Sequence, residues 1–411
     1  MNDIIKNINL YRKKNVKIKI LKDGAAVPNA EISVKMKSNQ FLFGCNCFGA
    51  LNYSEPERTK RYTDNFTKLF NFATLPFYWN SYEPVKGKTE HERVKKLEQW
   101  CNTHNIKTKG HPLVWHETTP EWLTFEDDIN KLLTERIKQI MSVFGDTVDF
   151  WDILNEVTVA RLFDEYSPVS RWMNKQNFID TVKFCAECVL EANPKANIVL
   201  NDYNVHLIDF ELLLEVMQKE GLKISAIGLQ SHMHETIWGL DYTYSNILKR
   251  YKRFNIPLHF TELTVLSGRC SSGKIKFWGG APNEWVSEDK DYKDQADYVR
   301  DFYKLLYSTP EVEAITWWDF PDGSWMGAPG GLVHKDLTPK PVYNELDKLI
   351  NKEWCSNFTG SANENGVYQC EVFFGTYEVT ALIPGCRPVS VTTEIHKNGN
   401  MYLPQEIEIN I

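Results

Sequence analysis

The sequence predicts an α/β protein: a (β/α)8 TIM barrel with a small β-sandwich module assembled from N- and C-terminal segments. Three observations predict it. Eight short β-branched or aromatic runs alternate with amphipathic stretches of helical length between residues 41 and 350. Several of those runs are nearly all apolar before a polar tip, the pattern of parallel strands covered on both faces. The chain ends carry period-two alternation instead.

The eight runs, in order, are FLFGCNC (41–47), NFATLPFYW (71–79), IKTKGHPLVWH (106–116), VDFWDILNEV (148–157), NIVLNDYNV (197–205), AIGLQSHM (226–233), PLHFTEL (257–263) and VEAITWWDF (312–320). Between them lie EPERTKRYTDNFTKLF, EHERVKKLEQWCNTHN, INKLLTERIKQIMSVFG, FELLLEVMQKEG and YSNILKRYKRFN, each with helical periodicity. A doubly wound open sheet would place a Gly-rich phosphate loop after its first strand, and CNCFGALNYSEPE is not one. In a barrel, chemistry belongs at the C-terminal strand ends. His111, His116, Asn155, Glu156, Asn201, Asp202, Gln230, His232, Glu262 and Asp319 all fall there. Residues 16–37 read as two strands around an Asp23-Gly24 turn, and residues 366–411 as strands broken by Pro-Gly and Asn-Gly turns. The division is thus 1–40 and 351–411 for the β-sandwich, expected to be a structural clasp before a carbohydrate-binding module, and 41–350 for the catalytic barrel.

Composition narrows the function. The net charge of −7 offers no electrostatic footprint for nucleic acid, and no apolar run reaches the ~20 residues that span a bilayer. The N-terminal MNDIIKNINLYRKK lacks the apolar stretch of a secretory leader. The expectation is a cytoplasmic location for the chain as written, and a secreted one where a leader has been trimmed. Cys185-x-x-Cys188 has no second pair at comparable spacing, so the nine cysteines read as reduced, packed thiols. No metal and no cofactor is expected. Thirteen Trp and eighteen Tyr suit a site that stacks on sugar rings, or simply a core rich in aromatics.

Two carboxylates stand out. Glu156 ends the fourth run and Glu262 the seventh, so a closed barrel brings them together across its mouth. Two acids flanking a scissile bond are what glycoside hydrolysis needs. Asn155, beside Glu156, is placed to donate to a sugar 2-hydroxyl. Asp152 faces the other way by strand parity and reads as structural. His111 and His116 are five apart and do not share a strand face, which favours hydrogen bonding over metal ligation. Gln230 and His232, two apart, do share one.

The motifs GHPLVWH (110–116), WDILNEV (151–157), NDYN (201–204), GLQSHM (228–233), FTEL (260–263) and WWDFPDGSWMGAPGGLVHKDLTPKPVYNEL (317–346) together resemble glycoside hydrolase family 10, the xylanase-type barrels. The resemblance implies a retaining endo-acting β-glycosidase that needs no metal, with a β-linked oligosaccharide or polysaccharide as its partner. It implies Glu156 as acid/base and Glu262 as nucleophile. Asn155 resembles the 2-hydroxyl partner, His111 and Trp115 the glycone-side contacts, and Gln230 and His232 the residues holding the nucleophile and its sugar. Trp317 and Trp325 resemble the tryptophans over the glycone, and Tyr203 a residue on the leaving-group side.

Two departures qualify the implied substrate. The family's Thr-Pro-Glu-Asn-Glu-x-Lys-Trp stretch grips glycone sugars, and here Thr74, Leu75 and Tyr78 stand at the Glu, Asn and Lys positions. The Asp usually found after Glu-Leu is Thr264, so His232 needs another partner. Three readings follow: xylan or xylo-oligosaccharide hydrolysis, the same chemistry on a different or decorated β-glycoside, and non-catalytic glycan binding.

Overall fold

A computed structural model describes residues 2–276, 282–383, 385–397 and 403–411. The chain divides into two compact units, one of residues 43–299 with 311–343, the other of the remaining segments.

The first unit holds the barrel. Its strands are β1 (Leu42–Asn46), β2 (Phe72–Pro76), β3 (Lys107–His111), β4 (Phe150–Asn155), β5 (Ile198–Asp202), β6 (Ala226–Leu229), β7 (Leu258–Val265) and β8 (Val312–Trp317). Each pairs with its sequence neighbour, β8 returns to β1, and the parallel sheet closes. Nearly every strand residue is buried, because helices cover the outside and side chains fill the inside. At the N-terminal end of the strands Phe72, Phe150 and His259 plug the barrel, with ring centroids 5.1–6.3 Å apart. Only the C-terminal end is open to chemistry.

Local sequence explains the helices between the strands. Pro56 opens Pro56–Leu69, where its missing N–H is no loss. Asp128 caps Ile129–Phe144 by accepting from the Lys131 N–H, and Asn177 caps Phe178–Ala192 through two amides. The run after β6 is less regular, passing through a π-type segment at Thr243–Leu248.

Several strands are shorter than their apolar runs. β3 stops at His111, so residues 112–116 form loop, and β2 stops at Pro76 because Trp79–Tyr82 turns helical. β4 stops at Asn155 because Glu156 adopts a left-handed conformation, φ 57° and ψ 38°. That conformation costs a non-glycine residue about 1–2 kcal/mol and turns the chain sharply out of the strand.

The second unit is two four-stranded sheets that interleave both chain ends. Lys13–Lys22 pairs antiparallel with Val367–Phe373 and parallel with Gln405–Asn410, while Glu31–Asn39 pairs with Asn357–Ser361 and Gly375–Leu382. Alternating Val16, Ile18, Ile20, Ile32, Val34, Tyr377, Val379, Ile407 and Ile409 form its core. Asp23 and Gly24 do make the expected tight turn, both at positive φ. The hairpin ends after Ala25–Ala26, however, because Pro28 follows and the chain crosses to the other sheet. The Asn398-Gly399 turn and Pro384 lie outside the described residues. An N-terminal helix, Asn2–Arg12, precedes the first strand. Arg12 at its end donates to the Tyr307 and Thr309 carbonyls, both at 2.6 Å. Among the described residues, no helix is long and apolar enough to cross a membrane.

Candidate active site

Glu156 and Glu262 come together at the open end of the barrel, joined by a relay of amides. Gln230 Nε2 donates to Glu156 Oε1 at 2.9 Å and to Asn155 Oδ1 at 3.1 Å. Asn201 Nδ2 donates to the same Asn155 oxygen at 2.9 Å and to Glu262 Oε1 at 2.7 Å. Thr261 fixes the Asn201 amide from behind, its hydroxyl donating to Asn201 Oδ1 at 2.6 Å. The Asn155 carbonyl oxygen is therefore fully used. Its NH2 makes no hydrogen bond among the described residues and is left to donate to a ligand.

Each carboxylate has further partners. Trp115 Nε1 donates to Glu156 Oε2 at 2.9 Å. His232 Nε2 lies 3.0 Å from Glu262 Oε2, and His111 Nε2 lies 3.9 Å from Glu262 Oε1. His111 is oriented by Asp152, whose Oδ2 lies 2.6 Å from Nδ1 and is placed to accept its N–H. Below them Lys109 is fully buried, and its ammonium has no hydrogen-bond partner among the described residues.

The electrostatics separate the pair. Burial first, then the negative charge of Glu262, push the Glu156 carboxyl well above the ordinary range. Burial acts on Glu262 in the same direction. There it is outweighed by the charge of His111, the hydrogen bond and charge of His232 and the charge of Lys109, which together bring the Glu262 carboxyl to about 2. The surroundings thus favour the protonated form of Glu156 and the ionised form of Glu262.

Donor atoms of His111, Asp152 and Glu262 lie within 4.8 Å of one another, as do those of His116, Glu117 and Glu156. The first triad is already spoken for by hydrogen bonds between its members and His232. In the second, His116 is buried with no hydrogen bond to either ring nitrogen among the described residues, and burial lowers it to about 4. The hydrogen-bonding role expected of His116 is not seen.

The sequence profile of glycosyl hydrolase family 10 matches residues 35–349. The chain belongs to this family. It is 23% identical over 409 residues to anti-sigma-I factor RsgI6 of Acetivibrio thermocellus, covering 95% of this chain and 48% of that protein. It is 24% identical over 323 residues to endo-1,4-beta-xylanase B of Thermotoga neapolitana, covering 73% of this chain and 86% of that one. The chain thus spans about half the length of the first relative. Among solved structures, xylanase 10B from Thermotoga petrophila RKU-1 in complex with xylobiose superposes with a TM-score of 0.61 at 22% identity, covering 76% of this chain and 95% of that one.

Within this family 10 barrel, most of the sequence-derived positions converge, with corrections. Gln230 holds Glu156 and Asn155, not Glu262, and of the Gln230–His232 pair only His232 touches Glu262. Trp317 is not over the site. It is fully buried, its N–H bonded to the Asp319 and Gly330 carbonyls. Strand alternation sends the next residue the other way, and Trp318 packs edge-on against His111 and His232, at 5.2 and 6.0 Å between centroids. Trp325 stacks on His234 at 3.6 Å, and His234 on His232 at 4.9 Å. Thr264 meets the other nitrogen of His232, Oγ1 to Nδ1 3.4 Å, where the family's Asp would stand. Tyr203 is half-exposed on the Glu156 side, where burial, then that carboxylate, raise its phenol.

Asp152, read from strand parity as structural, belongs to the network. β4 slips by one residue against β5 between Asp152 and Leu154, and that bulge brings Asp152 and Asn155 to one face. Asn201 and Lys109 were missed as site residues. Asn201 carried a signal as a polar strand end in NDYN. Lys109 carried one as a lysine two residues before His111 on the same strand face.

Proposed function

We propose that the chain is a retaining glycoside hydrolase that cleaves β-1,4-xylosidic bonds in xylan or xylo-oligosaccharides by double displacement. The observation that carries this reading is the buried Glu156–Glu262 pair, tied by one amide relay and driven to opposite protonation states.

In the first step Glu262 attacks the anomeric carbon while Glu156 gives its proton to the departing glycosidic oxygen. The glycosidic C–O bond breaks, a glycosyl ester forms on Glu262, and the leaving sugar departs as an alcohol. Esterification removes the Glu262 charge, one of the causes that hold the proton on Glu156, so Glu156 then suits a base. It takes a proton from water, which attacks the anomeric carbon, breaks its bond to the Glu262 oxygen and releases the sugar with its configuration retained while Glu262 returns as a carboxylate. The free NH2 of Asn155 is placed to donate to the sugar 2-hydroxyl as charge develops at the ring. His111, held by Asp152, presents Nε2 to the same sugar.

A second reading, the same chemistry on a different or decorated β-glycoside, is favoured by Tyr78, which stands among His111, Trp115 and Phe48 with centroids 5.4–5.9 Å away. A screen of xylan, xylo-oligosaccharides and aryl β-glycosides separates the two.

The mechanism itself is tested with Glu262→Ala. Turnover is expected to fall by about 10⁴-fold or more, several kcal/mol of barrier. Azide is expected to restore reaction of an activated aryl glycoside, giving a glycosyl azide of inverted configuration. Normal activity in Glu262→Ala removes the assignment. Binding of oligosaccharide by the unaltered protein without any hydrolysis replaces it with glycan recognition alone.

A further inference from the structure

Four rings close a collar beside the nucleophile. Trp318 meets Phe48 at 5.7 Å, Phe48 meets Tyr78 at 5.9 Å, Tyr78 meets His111 at 5.4 Å, and His111 returns to Trp318 at 5.2 Å. All four contacts are edge-to-face, with interplanar angles of 80–90°. Rings in edge contact leave no sugar-sized gap between them. Tyr78 also leans on Trp115, at 5.8 Å, so the wall continues toward Glu156.

The wall lies on the glycone side if the proposed function holds. Glu262 attacks the glycone sugar and Glu156 protonates the bond to its leaving group, so glycone sugars extend away from Glu156, past Glu262. On that side β1 and β2 offer almost no polar groups. The Asn46 amide already donates to the Trp318 carbonyl. Thr74 is fully buried, and Leu75 beside it is apolar and equally buried. Besides the His111 ring nitrogens and the Trp318 indole N–H, the collar's polar group is the Tyr78 hydroxyl, which makes no hydrogen bond among the described residues. Burial, then the charges of Glu262, Glu156 and Asp152, favour the protonated phenol, which carries one O–H to donate and a single oxygen to accept. A second glycone sugar would bury several hydroxyls against rings, at a cost that these few polar atoms repay only in part.

We propose that Tyr78 makes the glycone side a one-sugar pocket, so that the enzyme gains little from a second glycone sugar and removes single sugars from chain ends. This rests on the hydrolase reading above and goes further, to where the chain is cut.

The experiment compares kcat/KM for 4-nitrophenyl β-xyloside and 4-nitrophenyl β-xylobioside, which share a leaving group and differ only in the second glycone sugar. The expected bioside-to-monoside ratio is below about 3 for the unaltered protein, and Tyr78→Ala is expected to raise it about tenfold or more. Tyr78→Phe, which keeps the ring and is the safer variant for folding, is expected to keep the ratio low. Xylotetraose labelled at its reducing end is expected to lose single xylose units from the other end. An unaltered protein that prefers the bioside by about a hundredfold, cuts the tetraose internally, or keeps its ratio on Tyr78→Ala overturns the proposal. Turnover of neither glycoside, with no other β-glycoside of the screen hydrolysed, removes the hydrolase reading instead, and this inference with it.

Discussion

Glu156 and Glu262 share one relay of amides, yet their carboxyls are driven apart, Glu156 well above the ordinary range by burial and Glu262 to about 2 by neighbouring positive charge that outweighs burial. Turnover needs Glu262 ionised and Glu156 protonated. The rate therefore rises with pH as Glu262 loses its proton and falls again as Glu156 does. Glu156→Gln removes the group behind the alkaline limb, which is expected to flatten. For a poor leaving group, such as a sugar, kcat/KM is expected to fall by about 10²–10⁴-fold. For a dinitrophenyl glycoside, whose leaving group needs no proton, the first step is expected to change little. A pH–rate profile with its alkaline limb intact in Glu156→Gln assigns that limb elsewhere.

Lys109 supplies part of the positive charge at Glu262 from beneath the site, out of reach of solvent. Removing it leaves burial less opposed, so the Glu262 carboxyl rises. The sign follows: the acid limb of kcat/KM moves toward neutral pH in Lys109→Met. A loss of about tenfold is expected on that limb for each pH unit it moves. Lys109→Arg keeps the charge and is expected to keep the limb. A limb that does not move in Lys109→Met shows that His111 and His232 hold Glu262 by themselves.

Gly228 presses against Asn201 across β5 and β6. A Cβ there would meet Asn201 Oδ1 at 2.5 Å and its Cα at 3.0 Å, and the backbone atom has nowhere to swing. Gly228→Ala therefore shifts the amide that holds both Glu262 and Asn155. A displacement near 1 Å is expected to lower kcat by about a hundredfold. Circular dichroism and the melting temperature separate this from a loss of fold, and an active, folded Gly228→Ala protein shows that the relay tolerates the shift.

The barrel was legible because buried parallel strands must be apolar on both faces, and their polar tips mark the catalytic end. The acids were legible for the same reason, since Glu156 and Glu262 end such runs. What parity alone could not give was orientation. A single bulged residue in β4 moves Asp152 into the network, and Trp317 and Trp318 differ only in which way the chain leaves β8. Asn201 looked like any polar strand end until barrel closure brought its side chain to Thr261 and Glu262 of β7, with β6 between the two strands. The terminal strands were legible, as was their pairing between the two chain ends, but the 16–37 segment was not, because Pro28 converts an apparent hairpin into a crossover.

His232 must stay aimed at Glu262, and two devices hold it. One is Thr264, whose 3.4 Å contact with Nδ1 is long for a hydrogen bond. The other is a column of rings, Trp325 on His234 at 9° between planes and His234 on His232 at 22°. Burial, then the positive charge of His232, lower His234 to about 2, so it stacks as a neutral ring. A weak contact contributes little and a packed column much. Thr264→Val is expected to change kcat by less than about threefold, whereas His234→Ala, which opens the column, is expected to lower it about tenfold or more. Because both residues act through His232, KM for an aryl xyloside is expected to move less than kcat in each variant. The reverse order of effects would show that the threonine hydroxyl, standing where the family's Asp would be, aims His232.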